Sequence, residues 1–233
     1  MSFLTAKWEN LIMANYVINP EILKPYIPLG TQLDFFEDKC YISLVGFMFK
    51  DTKVLGLKLP YHVNFEEVNL RFYIKNKEKR GVVFIKEIVP KSLITFVANT
   101  LYHEHYQTCK MKHEEDNDKN VYRYNWKNKA KWQTLSVKTK QNTIPLDENS
   151  EAEFIAEHYY GYTKYKNKTF EYEVKHPKWE QKTVIDYNIN VDFEANYGSE
   201  FKMLNQLTPT SVFLAVGSDI SVENKRTINP IYR

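Results

Sequence analysis

Four side chains able to bind a ligand or transfer a proton occupy alternate positions of one short segment: Glu67, Asn69, Arg71 and Tyr73. A carboxylate, an amide, a guanidinium and a phenol in one row can hold an anion or act as general acid or base. Apolar residues separate them, and this period of two is typical of a β-strand with one polar face. We call these four residues the polar row. It is either a solvated outer surface or the lining of a cavity. The apolar face consists of Val68, Leu70, Phe72 and Ile74.

A second polar row is predicted at 158–162. In an extended chain His158, Tyr160 and Tyr162 share one face, whereas the adjacent Glu157 points to the opposite face and cannot pair directly with His158. An imidazole between phenols can carry acid–base chemistry near neutral pH. The same two interpretations, outer surface or cavity lining, apply to this row.

Other chemistries have weaker signals. The imidazoles of His103, His105 and His113 lack a further ligand at a fixed spacing, so we interpret them as part of a surface turn and predict no metal site. We find no phosphate-binding glycine loop, dinucleotide fingerprint, Ser-His-Asp signature or H-E-x-x-H motif, and we predict no cofactor.

Composition indicates one globular domain over residues 1–233, with 43% hydrophobic and 26% charged residues and no linker or repeat. Aromatic residues make up 15% of the chain, which favours strands. The net charge of +3 is spread along the chain, so we expect no nucleic-acid partner. Cys40 and Cys109 are interpreted as reduced thiols of a cytoplasmic protein. We predict no signal peptide and no membrane association.

The polar rows must be positioned by strands, because hydrophobic periodicity predicts mostly hairpins. Helices are few: Asn19 and Ser150 are predicted helix caps, Ser92 is predicted to cap a helix over 93–102, and Asp192 a helix through 204. The charged segment 113–120 is predicted to be a solvated loop. Strands are predicted at 40–50, 66–75, 81–89, 121–127, 132–140, 159–165, 169–176, 182–190 and 210–218.

Five ordered blocks resemble one family. The first block contains Trp-x-x-Leu at 8–11 and Tyr-Ile-Pro-x-Gly at 26–30, the second is Tyr-x-Ser-Leu-Val-Gly-Phe at 41–47, and the third contains Phe-Glu-Glu-Val-Asn-Leu-Arg-x-Tyr at 65–73. Glu-His-Tyr-Tyr-Gly-Tyr at 157–162 and His-Pro-x-Trp at 176–179 complete the set. Together they resemble the YqjF-type DUF2071 family of uncharacterised bacterial proteins.

This family in turn resembles acetoacetate decarboxylase in fold. The resemblance implies a mainly β (α+β) fold, in which a strongly bent antiparallel sheet forms a cone or barrel around a pocket, with a few peripheral helices. It also implies that Glu67 faces the pocket. Tyr106 and Gln107 occupy the positions of the decarboxylases' two adjacent lysines, so the Schiff-base lysine is absent. Lys91, Lys110 and Lys112 lie nearby, but none belongs to an adjacent pair.

Two classes of function follow. The first is a protein that binds a small, anionic organic ligand inside the β-cone, with Arg71 as the carboxylate clamp. The alternative is an enzyme of the decarboxylase-like superfamily that uses Glu67 or His158 as general acid or base. The sequence leaves both the catalytic residues and a homo-oligomer open. The predicted ligand-binding residues are Glu67, Asn69, Arg71, Tyr73, Tyr106, His158 and Tyr160.

Overall fold

The computed structural model describes residues 2–228, and one extended, mainly antiparallel sheet dominates it. Its strands follow the order β15-β12-β11-β6-β5-β4-β1-β14-β13-β10-β9-β8. An additional antiparallel pairing joins β12 to β14 through Val174↔Val222 and Lys175↔Ser221. This pairing brings distant parts of the strand order together, so the sheet is strongly curved. The predicted mainly β fold with a bent antiparallel sheet and few helices is confirmed.

The predicted hairpins form with longer strands than the sequence pattern indicates. The central part of the sheet contains β1 (Leu4–Val17), β4 (Lys39–Val54), β5 (Phe65–Asn76) and β6 (Lys79–Val89). The remaining strands are β2 (Gln32–Leu33), β3 (Phe35–Phe36), β7 (Tyr106–Thr108), β8 (Lys110–Asp116), β9 (Val121–Asn128), β10 (Lys131–Pro145), β11 (Tyr160–Tyr165), β12 (Lys168–Lys175), β13 (Glu180–Asn190), β14 (Ser211–Val222) and β15 (Arg226–Ile228).

The short helices keep three of the four predicted caps. The Asn19 side chain accepts a hydrogen bond from the Glu21 amide, and Ser150 and Asp192 accept from amides in their own first turns. The prediction for Ser92 is wrong, because Lys91 is the capping residue and contributes no side-chain hydrogen bond. The helices are 3₁₀ turns at Pro20–Tyr26 and Ser199–Gln206, α1 (Ser92–Val97), a π-helix at Ala98–Tyr102, α2 (Glu151–Ala156) and α3 (Phe193–Tyr197).

One predicted loop is wrong in part. The segment 113–120 continues β8 to Asp116 before it turns. Most of its charged side chains are exposed because β8 is the last strand of the path, and charge on an edge strand discourages pairing with another chain. Within residues 2–228, no helix has the length and apolar character needed to cross a membrane.

Both faces of β5 are buried, so the side chains of its polar row cannot lie on a solvated surface. The apolar face, including Val68, Leu70 and Phe72, packs into a large core shared with β9, β10 and the helices near the C-terminus. The opposite face carries Glu67, Asn69 and Arg71 and points into the concave side of the curved sheet. The polar row is therefore not a solvated outer surface.

Candidate functional site

The concave side of the sheet encloses a cavity of about 120 Å³. Glu67, Asn69 and Arg71 of β5 line it, with exposed fractions of 2%, 1% and 7%. Because alternate residues of a strand share one face, a single strand supplies a carboxyl, an amide and a guanidinium to the same cavity. Most of the remaining wall is apolar and aromatic: Phe3, Leu4, Trp8, Leu11, Phe47, Phe49, Val54, Phe65, Val82, Phe84, Ile94, Val97, Ala98, Ala156, Val174, Trp179 and Val222.

Arg71 is the only buried arginine of the described chain that lines the cavity, and it has no carboxylate partner there. No ion pair or hydrogen bond joins its guanidinium to any residue within 2–228, and its Nε atom is buried without a partner. Its guanidinium carbon lies 5.9 Å from the centre of the Tyr73 ring. A buried cation is stable only when paired or hydrogen-bonded, so this side chain favours an anion in the cavity.

Three glutamates that line the cavity form an acidic cluster: Glu67, Glu87 and Glu104. Glu67 accepts hydrogen bonds from Asn69 Nδ2 at 2.9 Å and from the Tyr106 hydroxyl at 3.1 Å. The side chain of Glu87, by contrast, has a buried Oε2 atom with no hydrogen-bond partner. Glu104 accepts from the hydroxyls of Thr163 at 2.5 Å and Tyr172 at 3.1 Å.

Burial and mutual repulsion favour the protonated form of the acidic cluster, and the pKa values of Glu67 and Glu104 are raised to about 7. Removal from water raises the pKa of all three carboxyl groups above their ordinary values, because it disfavours the charged form. Repulsion from Glu104 and Glu67 raises the pKa of Glu87 further. Hydrogen bonds from Asn69 and Tyr106, and the charge of Arg71, oppose this effect at Glu67. The cluster can therefore donate or accept protons under conditions in which an exposed glutamate is fully ionised.

His158 reaches the cavity from the segment before β11, with Asp34 behind it. Its Nε2 atom lies 3.5 Å from Asp34 Oδ2, and Asp34 also accepts a 2.7 Å hydrogen bond from Arg80 Nε. Burial lowers the pKa of His158 to about 4, although Asp34 partly opposes the shift. Burial alone would raise the pKa of Asp34, but the nearby His158 imidazole and the hydrogen bond from Arg80 outweigh it and lower the value to about 2. A neutral imidazole next to the cavity can accept a proton.

The structure brings six of the seven predicted site residues to the cavity wall: Glu67, Asn69, Arg71, Tyr106, His158 and Tyr160. Their role in binding stays a prediction. Tyr73 does not line the cavity; its hydroxyl lies 2.6 Å from Ser43 Oγ, and its ring packs against His158. In the second row, Tyr160 and Tyr162 keep one face of β11, with ring centres 6.4 Å apart, and both pack against the core that contains the apolar face of β5, whereas His158 lies before the strand.

Sequence reasoning missed Glu87, Glu104 and Tyr172. For Glu87 a signal was present, because the predicted hairpin places it on the neighbouring strand, and the structure pairs it with Asn69. Glu104 follows the π-helix, and Tyr172 comes from β12, so only the three-dimensional arrangement brings them to the acidic cluster.

Neither a Schiff base nor a metal centre is supported by the described residues. None of the residues that line the cavity within 2–228 is a lysine, and Lys110 and Lys112 are exposed. Among the same residues, no group of three or more histidine, cysteine, aspartate or glutamate side chains is arranged to hold a metal ion.

Comparison with known proteins agrees with this fold. The model of DUF2071, described as an uncharacterized conserved protein, matches residues 5–219, so the chain belongs to this family. It is 27% identical over 179 residues to the uncharacterized protein YqjF of Bacillus subtilis (strain 168), covering 74% of this chain and 72% of YqjF.

Solved structures share the fold at low identity. The enduracididine biosynthesis enzyme MppR complexed with pyruvate superposes with a TM-score of 0.70 at 9% identity, covering 100% of this chain and 93% of MppR. Acetoacetate decarboxylase from Legionella pneumophila gives 0.69 at 10% identity, covering 98% of this chain and 88% of the decarboxylase. At these identities the likeness shows the acetoacetate decarboxylase-like fold alone.

The buried imidazole predicts a specific sensitivity to acid. His158 has a pKa of about 4 in the folded protein and about 6.5 when unfolded, so the unfolded state binds more protons between these values. Stability is therefore lost as the pH falls through this window, by up to ~1.4 kcal/mol per pH unit. We expect His158→Gln to lose less stability than the wild type between pH 6.5 and 4.5, as measured by urea unfolding. His105→Gln, at an exposed position, is the matched control. Equal losses in wild type and His158→Gln would refute the assignment.

Proposed function

We propose that the protein binds a small organic carboxylate in its cavity, with Arg71 as the group that holds the carboxylate. The observation that carries the proposal is a guanidinium with an exposed fraction of 7% and no ion pair to any described residue, inside a cavity with mainly apolar walls. Arginine binds carboxylates through two parallel N–H···O hydrogen bonds, which gives both strength and a fixed orientation.

The cavity also limits the size and shape of the ligand. Its volume of about 120 Å³ is several times the roughly 10–15 Å³ that a cavity needs to hold one water molecule, so the ligand is expected to be a compact molecule. Trp8, Phe47, Phe49 and Trp179 offer apolar surface to the body of such a ligand. Sites of this kind combine an apolar lining with a few polar groups that fix orientation.

The fold relatives support a cavity of this kind. MppR was solved in complex with pyruvate, which is itself a small carboxylate. The shared fold makes the concave side of the sheet the reasonable place for a ligand in this chain as well. The low identity means that the ligand itself has to be argued from the residues of this chain.

Isothermal titration with matched ligands tests the proposal. The panel consists of pyruvate, hexanoate and 4-ethylbenzoate, with hexanamide and 4-ethylbenzamide as neutral controls of closely similar shape. We expect at least one carboxylate to bind, and its amide to bind about tenfold more weakly or worse, because the amide lacks the charge that complements Arg71. Equal binding of acids and amides, or no binding of any carboxylate, would overturn the proposal.

A second candidate, an enzyme acting by general acid and base catalysis, is favoured by the two kinds of titrating group in the cavity. His158 is neutral and can accept a proton, whereas burial raises the pKa of Glu67 to about 7, so that its protonated form is available near neutral pH to donate one. Such a pair, with environments that push the two pKa values in opposite directions, is a feature of acid–base active sites. Nuclear magnetic resonance of each bound carboxylate after prolonged incubation separates the candidates, since an enzyme changes the ligand and a binding protein does not.

A further inference from the structure

Two acceptor atoms in the cavity have no hydrogen-bond donor among the described protein groups: Asn69 Oδ1 and Glu87 Oε2. Asn69 is 1% exposed and Glu87 is 3% exposed, and both line the cavity. The two residues are directly paired across β5 and β6, so their side chains leave the sheet on the same face. When Glu87 is protonated it can itself donate to Asn69, whereas an ammonium group bound between the two side chains takes the place of that proton, stabilises the ionised carboxylate and supplies N–H donors to both acceptors.

The other donors near this place are already engaged. Asn69 Nδ2 and the Tyr106 hydroxyl both donate to Glu67, and the Tyr172 hydroxyl donates to Glu104. The acidic cluster adds negative potential whenever one of its carboxyl groups is ionised. A compact cation with several donors, such as an ammonium group, satisfies both free acceptors and relieves the repulsion among the glutamates.

The structure also places this acceptor pair beside the carboxylate clamp. Arg71 follows Asn69 by two positions on β5, so the two positions are roughly 7 Å apart along the strand. Cation and anion binding groups therefore lie at separate points of one small cavity with apolar walls.

We propose that the ligand is an amino carboxylate, whose ammonium group binds at Glu87 and Asn69 while its carboxylate binds at Arg71. This inference rests on the proposed function and narrows the ligand class within it. It excludes simple fatty or aromatic acids as the preferred ligands. Water can occupy the acceptor pair in the free protein, but only a ligand with a donor group gains affinity from it.

Matched ligand pairs test the inference by isothermal titration. 5-Aminopentanoate is compared with hexanoate, and 4-(aminomethyl)benzoate with 4-ethylbenzoate. The members of each pair have the same number of non-hydrogen atoms and differ by an ammonium group in place of a methyl group. We expect wild-type protein to bind the amino member of at least one pair about tenfold more tightly or better.

Two variants test whether Glu87 is responsible for the preference for the amino member of each pair. Glu87→Gln keeps the size of the side chain and should abolish the preference for the amino member. Glu66→Gln is the matched control, since Glu66 precedes Glu67 on β5 but does not line the cavity and pairs with His113 at 2.8 Å, and it should retain the preference. A thermal melt of each variant checks that it is folded, and the wild-type comparison decides the ligand class even if Glu87→Gln does not fold.

The outcomes separate this inference from the proposed function. If the acids bind and the amino members bind no better, the amino carboxylate is overturned and the carboxylate clamp stands. If the preference survives in Glu87→Gln, the ammonium position at Glu87 is overturned. If pyruvate binds but neither member of any pair does, this inference is overturned and the carboxylate clamp stands; if pyruvate does not bind either, the proposed function fails as well.

Discussion

Arg71→Met is expected to abolish carboxylate binding while leaving the fold intact. Methionine keeps much of the volume of the side chain but removes the charge. Loss of a buried charged partner costs a bound anion about 2–5 kcal/mol. The unfolding free energy without ligand should change by less than about 1 kcal/mol, because Arg71 has no ion pair to lose within the described residues. Isothermal titration with the carboxylate panel and urea unfolding measure the two quantities.

The alternative role for Arg71 gives the opposite result. If it stabilises the fold by balancing the charge of Glu67, its removal leaves a buried carboxylate uncompensated and costs about 3–5 kcal/mol of folding stability. The pKa of Glu67, which burial raises to about 7, argues against this role, since a carboxylate closely paired with a cation has a lowered pKa. Arg123→Met is the control, because Arg123 lies on β9 and pairs with Glu114 at a largely exposed site. A large loss of stability in Arg71→Met without ligand would reject the binding role.

Gly217→Ala is expected to destabilise the protein by at least about 3 kcal/mol. Gly217 has a φ of +87°, a conformation that side chains with a Cβ atom rarely adopt. An added Cβ would also lie 2.0 Å from the carbonyl oxygen of Trp8 on the paired strand. Since that atom belongs to the backbone of β1, it can move only if the pairing of β1 and β14 shifts. Trp8 lines the cavity, so we expect ligand binding to weaken as well.

A second glycine separates the two causes of the lost stability, which are the backbone strain at positive φ and the close approach of the added Cβ atom to the Trp8 backbone. Gly56 has a φ of +80° and lies in an exposed turn, so Gly56→Ala carries the backbone strain outside the paired strands. This strain costs about 1–2 kcal/mol. Urea unfolding of both variants measures the difference. Equal losses would mean that β1 and β14 accommodate the added methyl group, contrary to the close approach seen at Gly217.

The three carboxyl groups of the acidic cluster come from different parts of the fold. Glu67 lies on β5 and Glu87 on β6, whereas Glu104 follows the π-helix. Each has its pKa raised by burial, so each contributes stability at low pH that is lost as the pH rises through its folded value. Burying three carboxyl groups together reduces the folding stability of the free protein at neutral pH. Proteins commonly retain a loss of stability of this kind at functional sites.

The amino-acid sequence by itself determined the local structure around β5. Strict alternation between 66 and 75 predicts a strand with one apolar and one polar face, and the charged turn before Gly81 predicts the hairpin. These features depend only on side-chain direction in an extended chain and on turn chemistry, which are local. For the same reason the side chains of Glu67, Asn69 and Arg71 could be chosen as candidates before the fold was known. The family was also identifiable from its ordered blocks.

The tertiary structure alone decided which face of β5 is concave. A period of two defines two faces but does not say which one encloses space. That depends on pairings between distant segments, such as β1 with β14 and Val174 with Val222, which curve the sheet. The same long-range packing brings Glu104 to the acidic cluster and Asp34 to His158, because residues far apart in the chain carry no mutual signal in a single sequence. It also leaves Arg71 without an ion-pair partner among residues 2–228, a property that exists only once the neighbouring side chains have been placed.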